Sequence, residues 1–281
     1  MNKYHQLYVV ATPIGNLQEI TDLAKKVLFE ATTIVCEDTR VTKKLLKLLT
    51  IENQQKLVSF NKMSETVKTA KILELLQKES CVLVSDAGYP VISDPGYNLI
   101  RTLRKAGSQI QVINGPCALV HALVSSGIDS RKFFFANFLT KKRIQRISEL
   151  NELKSVLNLA TVVYYEALNF LEKGLNILLE VFGDIEIGIA RELSKIHETF
   201  YYGKISELKK TIELRGEFVI ILPKQKTINE SESEAIILAK LEEHLQNNIS
   251  LKNACKLVAT PNLRASEIYK IYLLKKGAKN E

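Results

Sequence analysis

The residues best placed to do chemistry lie in CVLVSDAGYPVISDPG, residues 81–96. Cys81 to Val84 is an apolar run of buried-strand length. It ends in Ser85-Asp86-Ala87-Gly88-Tyr89-Pro90, and a second turn, Ser93-Asp94-Pro95-Gly96, follows after Val91 and Ile92. Asp94 before Pro95 predicts a helix start, because Asp caps free N–H groups and Pro loses nothing at the first position. Small residues between a strand end and a helix start expose backbone N–H and C=O groups at the sheet's carboxyl edge, where open α/β sheets bind ligands. Gly and Pro also punctuate ordinary turns; two such turns around one apolar pair, after a buried strand, favour a site. The turns Thr12–Asn16 and Asn114-Gly115-Pro116 close the apolar runs Leu7–Ala11 and Gln109–Ile113 in the same way. The three loops suit a small molecule held largely by backbone groups, of which an adenosyl moiety with an amino-acid tail is one.

Carboxylates stand at or just after predicted strand ends at Glu37, Asp38, Glu166 and Glu192. Arg40 and Arg191 beside them can hold phosphate or orient those carboxylates. The alternative for Glu37–Arg40 and for Arg191-Glu192 is an Arg–carboxylate network that only fixes loops.

The elements that must position these groups alternate. Strands are predicted over 7–11, 32–36, 57–60, 81–84 and 109–113, with helices between them; Asn16 and Glu19 have capping-box spacing before Ile20, Leu23, Ala24, Val27 and Leu28. This rhythm predicts an α/β fold with a parallel sheet in residues 1–114. A second α/β domain, 115–224, is predicted to hold a mixed sheet, with strands 133–138, 160–165, 186–190, 197–202 and 217–222 and helices 117–126, 141–155 and 168–182. Residues 225–281 read as a linker and a small helical region, polar 224–234 being solvated. The helices 250–258 and 264–275, parted by Thr260-Pro261-Asn262, have helix-turn-helix-like spacing.

With 281 residues, 46% of them hydrophobic, the chain can bury sizeable cores. It has no apolar run of membrane-span length and no signal-peptide pattern at its start, so no membrane partner is expected. Cys36, Cys81, Cys117 and Cys255 lack CxxC or disulfide spacing and read as reduced core residues of a cytoplasmic protein. The four histidines have no ligand spacing, and no metal is expected. The net charge of +8 is compatible with a polyanionic partner. Between Arg131 and Arg146 six residues are basic and none acidic, with Phe133, Phe134, Phe135 and Phe138 interleaved. At least half of these phenylalanines are expected to face a core. Lys141, Lys142, Arg143 and Arg146 are therefore the expected RNA phosphate contacts, with Arg264, Lys270, Lys275, Lys276 and Lys279 as a second set.

The segments LYVVATPIGNLQEIT, EDTRVTKKLL, LVSDAGYPVISDPGY, VINGPCALVHAL, VYYEA, RELSKIHE and GEFVIIL, in this order, closely resemble the RsmI family of bacterial 16S ribosomal RNA cytidine 2′-O-methyltransferases, in the tetrapyrrole methylase-like superfamily. The resemblance runs from about residue 6 to 223. It implies a two-domain tetrapyrrole methylase-like fold, S-adenosylmethionine bound between the domains, a homodimer, and 16S ribosomal RNA, within the small ribosomal subunit, as partner. Carried over residue by residue, it implies cofactor contacts at Pro13, Gly15, Ser85, Asp86, Ala87, Gly88, Tyr89, Ile92, Cys117, Ala118, Tyr165, Glu166, Ala190 and Arg191. Departures from the family pattern include Ala11, Tyr89, Asn114 and Cys117. Ala167-Leu168-Asn169-Phe170 stands where the family usually reads Ser-Pro-His-Arg.

Methyl transfer to a ribose requires the 2′-oxygen to be placed in line and its proton removed. Glu37, Asp38, Glu166 and Glu192 are the acceptor candidates, with Arg40 and Arg191 as their orienters, and no single base stands out. Two other readings compete: a small-molecule, tetrapyrrole-type methyltransferase, and a non-catalytic RNA-binding relative. The first leaves the basic 131–146 tract unexplained; the second fits the missing Pro-His-Arg.

Overall fold

Continuous apolar runs give the first sheet its parallel form. In a computed structural model, which describes residues 4–51, 54–225, 228–247, 249–259 and 263–277, five parallel strands pair in the order β3-β2-β4-β1-β5. They are β1 (Leu7–Val10), β2 (Thr33–Cys36), β3 (Lys56–Ser59), β4 (Cys81–Val84) and β5 (Ile110–Ile113). All four residues of β2 and of β4 are buried, as strands covered on both faces require. Helices α1 (Asp22–Glu30), α2 (Thr39–Leu48), α3 (Glu65–Leu76) and α4 (Tyr97–Lys105) supply the covers. Leu99 and Leu103 of α4, fully buried against Leu83, belong to one such layer; truncating either to Ala removes about 2–5 kcal/mol. Because β4, β1 and β5 are parallel neighbours, the loops that follow them emerge at one edge.

Two helix starts differ from the sequence reading. Asn16 caps only the 3₁₀ turn Leu17–Glu19, and α1 begins after Thr21, whose hydroxyl accepts from Ala24 N–H at 3.1 Å. Asp94 caps nothing: α4 starts at Tyr97, and the carboxylate of Glu65, thirty-one residues back in sequence, accepts from Gly96 N–H. A distant acid has taken the place of the local one.

The chain enters the second sheet through α5 (Ala118–Ser126), which ends at left-handed Gly127. This sheet pairs β6 (Phe133–Phe138), β7 (Thr161–Glu166), β10 (Phe218–Leu222), β8 (Glu186–Arg191) and β9 (Thr199–Lys204), in that order. β6 and β7 are parallel and the remaining pairs antiparallel, so the sheet is mixed. Helices α6 (Arg143–Leu157) and α7 (Leu168–Phe182) cover one face, together with α8 (Ile205–Thr211), a seven-residue helix that periodicity did not reveal. Residues 1–224, carrying both sheets, form one compact unit, and 225–281 a second. In the second, α9 (Ile228–Gln246), α10 (Leu251–Leu257) and α11 (Ala265–Gly277) share a core of Ile237, Leu241, Cys255, Ile268 and Tyr272. Helix α9 thus begins inside the stretch expected to be a linker. Thr260-Pro261-Asn262, Lys279 and the side chains of Lys275 and Lys276 lie outside the described residues; Arg264 and Lys270 are exposed. No described helix is long and apolar enough to cross a membrane.

Candidate active site

A cavity of about 490 Å³ opens where the carboxyl edge of the first sheet faces the second sheet. Its near wall is the loop after β4. Thr12 and Gly88 exchange two backbone hydrogen bonds, of 2.9 and 3.0 Å, tying this loop to the end of β1. Ser85 Oγ donates to the Gly88 carbonyl at 3.2 Å, and Tyr89 Oη accepts from Gly115 N–H at the end of β5. Four residues within nine positions have φ between +71° and +133°: Gly88, Val91, Ser93 and Gly96. For branched Val91 this is a strained conformation, held by the packing of its side chain against Gly96, where a Cβ would come within 2.9 Å of Val91 Cγ2. Strain of this kind clusters at ligand sites.

Three carboxylates give the near wall its charge. Glu37, Asp86 and Asp94 all line the cavity. Burial raises the pKa of each, and a neighbouring carboxylate adds to it: Asp86 at Glu37, Asp38 at Asp86 and Glu37 at Asp94. Asp94 is pushed up to about 6. Asp86 also accepts from the backbone N–H of Asp38 at 3.1 Å, joining this loop to the one after β2. Ser93 Oγ is buried without a hydrogen-bond partner among the described residues. An acidic wall with an orphaned hydroxyl suits a cationic, polar ligand.

The far wall comes from the ends of β6, β7 and β10: Phe138, Tyr165, Glu166 and Gly216 to Val219, with Leu193. Beneath it, Arg146 on α6 is fully buried and forms an ion pair with Glu166. The guanidinium carbon lies 4.7 Å from the ring centre of Phe170 and 5.7 Å from that of Tyr164. The other Glu166 oxygen accepts from Ala167 N–H at 3.1 Å. Gly174 on α7 makes the room: a Cβ there would stand 2.7 Å from Glu166 Oε2.

Of the residues expected at the site, Glu37, Asp86, Ala87, Gly88, Tyr89, Ile92, Cys117, Ala118, Tyr165 and Glu166 line the cavity. Cys117 is half-buried there, not a core residue. Pro13 and Gly15 are represented in the lining by their neighbour Ile14, and Gly15 packs instead against Leu193 and Lys195. Ser85 is buried behind the loop that it shapes. Ala190 belongs to the core, and the Arg191 guanidinium is spent on the Arg215 and His197 carbonyls and on Glu213, so neither reaches the cavity. Asp38 caps α2 and pairs with exposed Arg40, both outside the lining. Glu192 is held by Lys195 at 2.8 Å and by Glu217 N–H at 2.9 Å; burial pushes its pKa up, but these partners outweigh it and leave the pKa lowered. These partners occupy Glu192, as Arg146 occupies Glu166, so neither is the proton acceptor expected of it.

Arg146, expected as a phosphate contact, is instead a core residue, and Lys141, Lys142 and Arg143 are the exposed part of that set. The signal was present in the sequence, because Arg146 falls on one helical face with Leu150, Leu153 and Leu157. Ser93 and Asp94, expected only as turn residues, line the cavity as well. The expectation that at least half of the β6 phenylalanines face a core also fails: Phe133, Phe134 and Phe138 are 48%, 45% and 52% exposed, because β6 is an edge strand.

The family described as Tetrapyrrole (Corrin/Porphyrin) Methylases matches residues 6–209. The chain is 36% identical over 272 residues to a Mycoplasma pneumoniae protein named ribosomal RNA small subunit methyltransferase I, covering 95% of this chain and 98% of that protein. Its likeness to the Bacillus subtilis protein of the same name is 35% over 279 residues, covering 96% and 94%. Among solved structures, diphthine synthase superposes with a TM-score of 0.63 at 14% identity, over 81% of this chain and 93% of that one. A precorrin-6Y methylase of cobalamin biosynthesis from Archaeoglobus fulgidus gives 0.54 at 15%, over 79% and 99%. At these identities the structures speak for the fold alone.

Proposed function

Because the chain belongs to the Tetrapyrrole (Corrin/Porphyrin) Methylases, among the proteins named ribosomal RNA small subunit methyltransferase I, it is a methyltransferase, and we propose that it methylates the ribose 2′-oxygen of a cytidine in the decoding region of 16S ribosomal RNA. The methyl donor in this reading is S-adenosylmethionine. The observation that carries the reading is the cavity, lined by the Asp86–Tyr89 loop of the shared motif on one side and by Tyr165 and Glu166 on the other. The residues present fit that donor. Exposed Ala87 leaves backbone accessible, Ser93 Oγ lacks a partner among the described residues, and Glu37, Asp86 and Asp94 complement a molecule with two cationic groups.

When bound, S-adenosylmethionine supplies a methyl group already activated by its sulfonium. The chain must then orient the ribose hydroxyl and accept its proton. Asp94, with its pKa near neutrality, is matched to accepting a proton at physiological pH, and Glu37 and Asp86 adjoin it. Buried Leu193 and Phe218 give the far wall an apolar side.

The test is transfer of radiolabelled methyl from S-adenosylmethionine to small-subunit particles, free 16S RNA or a tetrapyrrole. A capped 2′-oxygen cannot attack its own 3′ phosphate, so the methylated RNA is expected to show a single gap in an alkaline ladder, at a cytidine. Incorporation with an unbroken ladder means base methylation, and incorporation only into a tetrapyrrole means the small-molecule reading; either overturns the proposal.

A further inference from the structure

The sequence argued against the β6 phenylalanines as base-stacking groups, and the structure removes that objection. In register, Phe133 lies beside Thr161, Phe135 beside Val163 and Phe138 beside Tyr165. A bulge between Phe135 and Phe138, with Asn137 at φ +60°, resets the alternation, so Phe138 lies on the same face as Phe135. Both rings pack edge-on against Tyr165, with centroids 5.0 and 5.4 Å apart. Phe134 projects to the opposite face, with Ala136, which packs on the core under α6 and α7.

The result is one aromatic row, Phe133–Phe135–Phe138, which starts at an exposed edge and ends in the cavity, where Phe138 and Tyr165 form part of the lining. The row is bounded by cations. Lys132 precedes it, and Lys141 and Lys142 follow it, exposed and without an ion pair among the described residues. Lys141 is near enough to act on the buried Glu166 carboxylate at the cavity's far wall. Arg131 and Arg143, by contrast, are already paired with Asp129 and Glu180. No acidic residue occurs between Ser130 and Ser148.

Resting on the methyltransferase reading above, we infer that this face of β6 is a track for single-stranded RNA, its bases stacking on Phe133, Phe135 and Phe138 and its phosphates meeting Lys141 and Lys142 on the way into the cavity. Exposed aromatic rings among unpaired cations match what an unpaired strand offers, π faces and regularly spaced phosphates. A duplex offers only the phosphates. The inference therefore narrows the substrate to an unpaired segment whose target nucleotide is presented by its neighbours.

Phe133→Leu keeps apolar bulk and removes the π face; Phe134→Leu does the same on the opposite face. Binding of a ten-nucleotide single-stranded RNA, and of the same strand annealed to its complement, is measured by anisotropy on the full chain. Calorimetry with S-adenosylmethionine and sedimentation accompany each variant. Phe133→Leu is expected to weaken the single strand about fivefold or more, to leave the duplex and the donor unaffected, and to keep the oligomeric state; Phe134→Leu is expected to change none of these. Lys141→Gln with Lys142→Gln is expected to flatten the salt slope for the single strand by about 1.4. Equal effects of Phe133→Leu and Phe134→Leu, or unchanged binding in the first, overturn the track. A change of oligomeric state in Phe133→Leu overturns it in favour of a second copy of the chain on β6. If the wild type transfers methyl to RNA in any of these cases, the track fails and the function stands; if it neither binds RNA nor methylates it, both fall.

Discussion

Two Arg–carboxylate pairs, one between near neighbours in sequence and one between residues twenty apart, play opposite parts in the molecule. Asp38 and Arg40 sit at the start of α2, their carboxylate and guanidinium joined at 2.5 Å, with the Arg40 side chain 89% exposed. Arg146 and Glu166 join α6 to the end of β7, and the Arg146 side chain has no exposed surface. The exposed pair works by geometry that its own backbone already supplies, since Asp38 also accepts from Arg40 N–H at 2.8 Å. The buried pair is interdependent: burial pushes the Glu166 pKa up, and the guanidinium pulls it back. Between the two extremes stand Glu37, Asp86 and Asp94, carboxylates of the cavity wall whose mutual influence is repulsive. Burial, not residue type, decides which carboxylate is structural and which is left for chemistry.

The largest expected effect comes from breaking the buried pair. Arg146→Met leaves Glu166 charged in an apolar layer and is expected to cost about 3–5 kcal/mol in thermal or urea unfolding. Removing the cation raises the Glu166 pKa further, so the loss is expected to shrink as the pH falls and the lone acid becomes neutral. A second removal, Glu166→Leu in the same chain, is expected to recover most of the loss. If Arg146→Met unfolds at the wild-type midpoint, the pair is not the structural anchor that its burial implies.

Gly174→Ala tests the same layer more gently. In an exposed helix that change gains about 1 kcal/mol. Here the new Cβ meets Glu166 Oε2 at 2.7 Å and Arg146 Nη2 at 3.1 Å, so a net loss of about 1–3 kcal/mol is expected instead. A gain in unfolding free energy would show that the pair has room to move.

Much of this arrangement was legible beforehand, and the exceptions have physical causes. The run Cys81–Val84 and its two turns follow from composition alone, because a short apolar segment between small residues has few other fates. The parallel direction of the first sheet's strands, which gathers three loops at one edge, follows from the β-α rhythm; the adjacency of β4, β1 and β5 comes from packing. The sequence points to Asp94 as a cap because capping is a local pattern, whereas Glu65 reaches α4 through tertiary packing. Arg146 has basic neighbours, but its four- and seven-residue spacing to Leu150 and Leu153 puts it on the buried face. The exposure of Phe133 and Phe138 depends on β6 lying at a sheet edge and on the bulge at Asn137, neither of which has a signature in the segment itself.

Asp94 offers an intermediate effect, with a sign that separates it from the paired acids. Its folded pKa of about 6 lies above its ordinary value of 3.8, so the folded state favours the neutral acid. Its contribution to stability is full below about pH 3.8 and is lost as the pH rises through 6. Asp94→Asn is therefore expected to match the wild type near pH 4 and to exceed it by about 1 kcal/mol at pH 7, the shift being discounted for solvent screening. Binding of cationic S-adenosylmethionine is expected to run the other way, tightening in the wild type from pH 5 to 7 and losing that dependence in Asp94→Asn. A flat profile in the wild type would remove Asp94 from the donor site.

The smallest effect is expected at the exposed pair. Arg40→Gln removes a guanidinium that solvent and salt already screen, while the backbone N–H that Asp38 caps remains in place. The hydrogen bonds from Arg40 hold the Asp38 pKa down at about 2. A carboxylate depressed in the folded state contributes stability above its ordinary value of 3.8, and that contribution is lost as the pH falls through 2. Any difference between Arg40→Gln and the wild type is thus expected above pH 4, at low salt, and to disappear at high salt. Thermal unfolding at pH 7 in both salts measures it. A loss that persists at high salt and approaches that of Arg146→Met would mean that exposure does not separate the two pairs.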